Sequence, residues 1–230
     1  MKSILKLFAS LLMILGWMQV IGQDCEPYMV VNQGAVREMT NYDKKDKVTG
    51  TSVQTVKEIK TEGNMTEWTI NSVSKDAKGK QTSAGDLQMT CEAGIFKMDM
   101  KNFIDEETMK GFEGMEVAMD ATDLDYPAIL TPGMTLKDGN ITIKASSQGV
   151  PVMTLVVRIY DRKVLALEDI TTPAGTFQCY KISQTVETKT LFTVIAKTTD
   201  WIAKKVGTVR SETFDKNSNL QGYMILTAMK

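Results

Sequence analysis

The chain has 230 residues, with 27 Lys and Arg against 28 Asp and Glu, no His, and 43% hydrophobic residues. This apolar fraction excludes a disordered chain, and the balanced charge excludes the clustered basic surface of a nucleic-acid-binding protein. The lack of His excludes catalysis by an imidazole base and metal sites with His ligands. A single domain is the simplest organisation for this length.

Residues 1–22 have the pattern of a secretory signal peptide. Lys2 and Lys6 are the only charges, and an apolar stretch then runs to a small residue before Gln23. This stretch is shorter than the roughly 20 residues of a membrane span, so an uncleaved anchor is the less favoured alternative. We predict that residues 23–230 form one exported β-rich domain without a transmembrane span. Its location would be the periplasm, the outer-membrane surface or the medium.

Three cysteines follow the predicted leader, namely Cys25, Cys91 and Cys179. Export brings them into an oxidising compartment, where an odd number leaves at most one internal disulfide. We predict a bridge between Cys25 and Cys91, which would fix the mature N-terminus. Three buried thiols are the open alternative. Lipidation of Cys25 is not expected, because Gln23 and Asp24 precede it in place of small residues.

From Gly34 onward the hydrophobic pattern has period two, which is typical of strands with one buried face. The stretch from Val53 to Ile59 is an example, with Val53, Thr55 and Ile59 on one predicted face. Turn signals separate roughly ten to thirteen such runs. The fold class is therefore mostly β, a single curved antiparallel meander that forms an open half-barrel or a barrel.

One short helix interrupts this pattern. The segment Asn102 to Lys110 has acidic residues near its start and a lysine at its end, with Asn102 as the predicted N-cap. A strand follows, and the Pro-containing segment from Asp123 to Thr135 is predicted to be a long crossing loop.

Templates for enzymatic chemistry are missing from the sequence. It contains no nucleophile elbow, no phosphate-binding Gly-rich loop and no dinucleotide fingerprint. Asp123 with Asp125, or Glu106 with Glu107, could serve a glycosidase only if the folded chain placed them suitably. We predict a non-enzymatic protein without cofactor or metal.

Methionine is abundant, with 16 residues in the chain. Met adapts to irregular apolar surroundings, so this excess predicts either core filling or an apolar cavity inside the curved sheet. The candidate cavity residues are Met98, Met100, Met115, Met119, Met153, Phe177 and Trp201. Pro173 and Gly175 are predicted to form a structural turn, because Pro fixes one dihedral and Gly permits positive φ.

The C-terminal half resembles a known family. Tyr160-Asp161-Arg162-Lys163-Val164, the stretch Thr172-Pro173-Ala174-Gly175-Thr176-Phe177, and Trp201 followed by Val206-Gly207-Thr208-Val209 are similar to the TapB-type family of exported bacterial proteins, a domain of unknown function. The resemblance implies export and a β-rich fold, and it supplies no catalytic residue. A looser similarity is to the half-barrel carriers of lipoproteins and lipids in bacterial envelopes.

Two functional hypotheses follow from these patterns. The first is an envelope protein that binds an apolar ligand, a lipid or a lipidated protein partner, on the concave face of the sheet. The second is a structural or adaptor module that contacts another envelope protein through its outer surface and strand edges.

Overall fold

The structure, a computed structural model, describes residues 26–104 and 106–230, so the predicted signal peptide lies outside the described residues. One antiparallel sheet of 13 strands forms a nearly closed barrel, which confirms the predicted fold class and strand number. The strands are β1 (Val36–Asp43), β2 (Val48–Glu62), β3 (Met65–Asp76), β4 (Gln81–Glu92), β5 (Ile95–Met98), β6 (Glu116–Thr122), β7 (Leu124–Pro127), β8 (Gly139–Ser147), β9 (Val150–Thr172), β10 (Gly175–Lys189), β11 (Thr193–Ala203), β12 (Gly207–Asp215) and β13 (Leu220–Met229).

The predicted helical segment divides into two short pieces. A 3-10 turn spans Met100–Phe103, and helix α1 spans Glu106–Lys110. The N-cap prediction was wrong, because the side chain of Asp99 accepts from the backbone N–H of Lys101 and caps the first turn. In the described part of the chain, no helix is long and apolar enough to cross a membrane.

The sheet order brings its two ends together. It runs β6-β8-β9-β10-β11-β12-β13-β1-β2-β3-β4-β5-β7, and only Asp123 separates the edge strands β6 and β7 along the chain. Side chains fill the seam between these ends. A Cβ atom on Gly139 of β8 would lie 2.6 Å from Leu124 of β7 and 3.0 Å from the sulfur of Met100. The absence of a side chain at Gly139 thus lets β8 approach the other end of the sheet.

A bulge in β9 changes which side chains enter the barrel. Asp161 has a φ of 54°, and the pairing with β10 shifts register at this point. Before the bulge the buried residues are Leu155, Val157 and Ile159, whereas after it Arg162 and Val164 are buried. The extra residue moves the alternation by one position, as bulges do. A charged side chain is thereby turned into the interior.

Arg162 crosses the seam of the barrel. It is fully buried, and its Nη1 donates to the backbone carbonyls of Lys137 and, at 3.4 Å, of Asp125 on β7. The guanidinium also lies 4.6 Å from the ring centroid of Tyr126, a cation–π contact. Its Nε donates to the Gln184 side chain at 3.2 Å. One side chain of β9 therefore holds β7, the strand at the far edge of the sheet.

The N-terminal segment before β1 packs into the core. Tyr28, Met29 and Val30 are all buried, and the Tyr28 hydroxyl donates to the carbonyl of Pro127 at 3.1 Å. The ring of Tyr28 also lies edge-on to Phe96, 6.3 Å between centroids. Part of the barrel interior is therefore filled by this segment and not by the strands.

We expect Arg162→Met to lower the free energy of unfolding by on the order of 3 kcal/mol, because the part-buried carbonyls of Asp125 and Lys137 lose their donor. Chemical denaturation measures this change. Lys163→Met is the matched control, since the neighbouring Lys163 side chain is exposed and should tolerate the change. Equal stability of the two variants would contradict a role for Arg162 in closure.

Candidate ligand cavity

The methionines predicted to form a cavity do not come together as one group. Met100 is fully buried, Met115 packs against the core, and Met98 is partly buried. Met119 and Met153 are instead exposed, at 40% and 38% of their surface. Of these five residues, only Met98 contributes to the interior cavities described below.

Phe177 and Trp201 belong to a separate small cluster. It consists of Cys179, Trp201, Ala203 and Val209, with Phe177 packed against it. The indole Nε1 of Trp201 donates to the Glu168 carboxylate at 2.6 Å, and this bond is the main reason that the pKa of Glu168 lies below its usual value. These contacts anchor strands β9 to β12 to each other and leave the barrel interior to other residues.

The predicted turn joins β9 and β10. Pro173 and Ala174 form the two turn residues, and Gly175 has a φ of 136°, a value that side-chain-bearing residues rarely adopt. The turn leads directly into Phe177 and its cluster.

The cysteines have different environments. Cys91 is buried and disulfide-bonded, whereas Cys179 is a free buried thiol. Burial raises the pKa of Cys179 to about 12, so its reactive thiolate is scarce at neutral pH. Cys25 lies outside the described residues, and its pairing with Cys91 stays a prediction.

Two adjoining cavities of about 260 and 250 Å³ lie inside the barrel. Tyr28, Met98, Phe103, Thr208 and Met224 line both of them. Together they are comparable with a small-molecule site, which typically has 300–1,000 Å³. We name them the Arg37 cavity and the Asp200 cavity after the charged residue that lines each.

The Arg37 cavity is mostly apolar. Its further lining residues are Met29, Val30, Met39, Ser52, Gln54, Ile70, Leu87, Met89 and Asn102. Arg37 itself is 6% exposed, and burial lowers its pKa to about 10, so it stays charged at neutral pH. The cavity thus combines flexible apolar side chains with one buried cation.

The Asp200 cavity holds a hydrogen-bonded carboxylate. Asp200 accepts from Thr198 at 3.0 Å, from Gln184 at 2.9 Å, and from Ser211 at 2.5 Å. Burial still outweighs these bonds and raises its pKa above the usual Asp value. Gln184 links this carboxylate to Arg162, because its amide oxygen accepts from the Arg162 Nε. The acid therefore has an internal counter-charge, relayed through one amide.

Phe103 lies where the interior meets solvent. It lines both cavities and an adjacent surface groove, and it is 41% exposed. The 3-10 turn that carries it is fixed by Asn102, whose side chain exchanges two hydrogen bonds with the backbone of Gln88 at 2.9 and 2.8 Å. This turn covers the opening and positions an aromatic ring in it.

Of the two acidic pairs considered for catalysis, Asp123 and Asp125 make contacts within the fold. The Asp123 carboxylate accepts from the backbone N–H of Met100 at 3.2 Å, and the Asp125 carboxylate pairs with Lys137 at 3.4 Å. The side chains of Glu106 and Glu107 lie outside the described residues.

Sequence reasoning missed most of the cavity lining. Met29, Met39, Met89 and Met224 come from four separate parts of the chain, and no local pattern connects them. One signal was available for Asp200, because it stands two residues before the buried Ile202 and shares that face of the strand. A charged residue that lies on the same strand face as a buried residue indicates a polar site inside a barrel.

We expect the free energy of unfolding of wild type, relative to Asp200→Asn, to fall as pH rises. Because the folded-state pKa of Asp200 is raised, the native state keeps its proton after the unfolded state has lost it. The fall should begin near the ordinary Asp pKa and end at the raised one. Denaturant titrations at several pH values measure this difference.

Asp86→Asn is the control for this titration. Lys57 lies 2.8 Å from the Asp86 carboxylate and lowers its pKa, so the corresponding difference should have the opposite sign. Parallel pH profiles for wild type and Asp200→Asn would contradict the raised pKa.

Comparisons with solved structures identify two similar bacterial proteins. The first is a candidate exported protein with a YmcC-like fold from Bacteroides fragilis NCTC 9343, at 25% identity and a TM-score of 0.72. The second is a candidate lipoprotein from Parabacteroides distasonis ATCC 8503, at 25% identity and a TM-score of 0.74. Each alignment covers 90% of this chain and 100% of the other.

A family comparison gives the assignment. No curated protein matched the chain, and the match is to DUF3108-like over residues 32–226. The resemblance to the TapB-type family is not confirmed at that finer level. The matched region contains every described strand except the last residues of β13. The chain therefore belongs to the DUF3108-like family.

Proposed function

We propose that this protein is an exported, non-enzymatic carrier that holds an apolar molecule inside its barrel. The observation that carries the proposal is the pair of adjoining cavities, whose lining includes five Met and four aromatic side chains. Such side chains adapt to alkyl chains of differing shape. A free lipid and the acyl chain of a lipidated protein present the same alkyl surface, and both fit this role.

Export is part of the same proposal. The pattern of residues 1–22 supports it, as do the descriptions of the two similar structures as a candidate exported protein and a candidate lipoprotein. An envelope compartment supplies both lipids and lipidated proteins.

Native mass spectrometry and lipid extraction of the protein purified from its own host test the proposal. We expect a bound apolar molecule, which Met98→Trp should exclude because Met98 lines both cavities. Met229→Trp is the matched control, since Met229 is 41% exposed and should tolerate the larger ring. A wild-type protein that carries no molecule and takes up no long-chain alcohol would overturn the proposal.

A second candidate function is an adaptor that contacts another envelope protein. Exposed apolar side chains on the neighbouring strands β9 to β11 favour it. At the tip of the β10–β11 hairpin, Leu191 and Phe192 are 89% and 79% exposed. Val150 and Val152, at the start of β9, are 64% and 55% exposed. Apolar side chains grouped on a surface mark interaction sites.

Photo-crosslinking in intact cells tests the adaptor function. With benzoylphenylalanine in place of Phe192, we expect capture of one defined protein, and Leu191→Ser should reduce that capture. The same probe at the exposed Glu67 controls for random collision. Equal capture from both positions would rule out a partner at this hairpin.

A further inference from the structure

The two buried arginines of the barrel have different electrostatic surroundings. Arg162 connects through the Gln184 side chain to the carboxyl group of Asp200. Arg37 has neutral partners, because Nη1 donates to the carbonyl of Val206 at 2.8 Å and Nη2 to that of Thr208 at 2.7 Å. Within residues 26–104 and 106–230, no carboxylate pairs with Arg37, and its Nε has no hydrogen-bond acceptor.

A buried charge without a counter-charge is costly, and the pKa of Arg37 is lowered by desolvation alone. The fold nevertheless holds this guanidinium tightly. Gly207 has a φ of 95°, and a Cβ atom there would lie 2.1 Å from the Arg37 Nη1. The β11–β12 hairpin therefore wraps closely around a cation that the described chain does not neutralise.

The surroundings of Arg37 suit an anion at one end and an alkyl chain beyond it. Gln54 lies directly opposite Arg37 on β2, so both side chains are on one face, and both line the Arg37 cavity. An amide beside a guanidinium adds a donor for an anionic oxygen. Ser52, two residues away on the same face, also lines this wall.

The rest of the Arg37 cavity is mostly apolar, with Asn102 and Thr208 as its other polar lining residues. Ile70, Leu87, Met89 and Met98 are among its lining residues, and they offer no polar group to a free anion. The Asp200 cavity beyond them has no Lys or Arg among its described lining residues, so it offers no counter-charge to an anion. The polarity of the interior therefore orients an amphiphile with its head group toward β1.

We propose that the ligand is a single-chain amphiphile with an anionic head group, which Arg37 and Gln54 bind while the Met-lined interior holds its chain. This inference rests on the proposed carrier function and specifies its ligand class. Carboxylate and phosphate head groups share the required chemistry.

Calorimetric titration of the host-purified full protein, freed of bound lipid, tests the inference at neutral pH. The probes are dodecanoate, dodecyl phosphate and dodecanol, used below their micelle concentrations, with acetate and inorganic phosphate as anions without a chain. We expect at least one anionic amphiphile to bind about tenfold or more tightly than dodecanol, as a charge-assisted hydrogen bond implies. The stronger of the two then identifies the head group.

Variants assign the preference to residues. Arg37→Gln should remove the tenfold preference for the anionic amphiphile over dodecanol, and Gln54→Leu should weaken anion binding severalfold. Lys101→Gln is the control, because Lys101 is an exposed cation on the 3-10 turn that lines neither cavity. A loss in Lys101→Gln as large as in Arg37→Gln would indicate general charge attraction and overturn the assignment.

The outcomes separate this inference from the carrier function. Equal binding of dodecanol and both anionic amphiphiles by wild type would overturn the head-group inference and leave the carrier intact. Binding of none of the three would overturn both. Acetate or inorganic phosphate binding as tightly as the amphiphiles would replace the amphiphile with a small anion. These comparisons use wild type, so they decide the question even where Arg37→Gln fails to fold.

Discussion

Closure of this barrel depends on a guanidinium that reaches across the seam. The two edge strands of the sheet lie at its opposite ends, and Arg162 of β9 binds the backbone of β7 from within. Burial of an arginine is unfavourable unless its donors and its charge are matched. Here two carbonyls accept from Nη1, the Gln184 amide accepts from Nε, and the Tyr126 ring faces the guanidinium, while Nη2 has no hydrogen-bond partner among the described residues. The buried Arg162 therefore links β9 to β7, two strands that do not pair through their backbones.

This manner of closure also shapes the interior. A seam filled by Leu124, Met100 and the backbone at Gly139 leaves the middle of the barrel free for cavities. The polar groups of the interior are divided between two sides, with Asp200 near the seam network and Arg37 near the β11–β12 hairpin. An interior with charged groups at separate positions can distinguish the two ends of an elongated ligand.

The sequence pattern predicted the strands, their antiparallel order and the curvature, because period two and turn residues are local properties. The faces were harder to predict. Val53, Thr55 and Ile59 were assigned to one face, but a register shift after Val56 moves the alternation, so that Val56 is buried and Ile59 packs against the core. A bulge leaves no distinct residue signature in these strands.

The sequence predicted the apolar character of the cavity but not the residues that line it. The Met excess indicated an adaptable apolar interior, whereas Met119 and Met153 are exposed although they share the sheet face of Ile143 and Leu155. Met119 lies on the edge strand β6, and Met153 lies near the start of β9. Arg37 looked like an ordinary strand cation. Its burial depends on Gly207, which lies far away in sequence, and such long-range contacts are set only by the folded sheet.

Tyr28, Met29 and Val30 are buried inside the barrel, where they form a part of its wall that belongs to no strand. Tyr28 lines both cavities, yet this segment belongs to no strand and contacts the sheet through side chains and a few backbone bonds. Its displacement would merge and enlarge the interior without breaking a single strand pair. The volume of the barrel interior consequently depends on the position of the N-terminal segment. A force that pulls on this end of the chain would therefore change the cavities at the centre of the molecule.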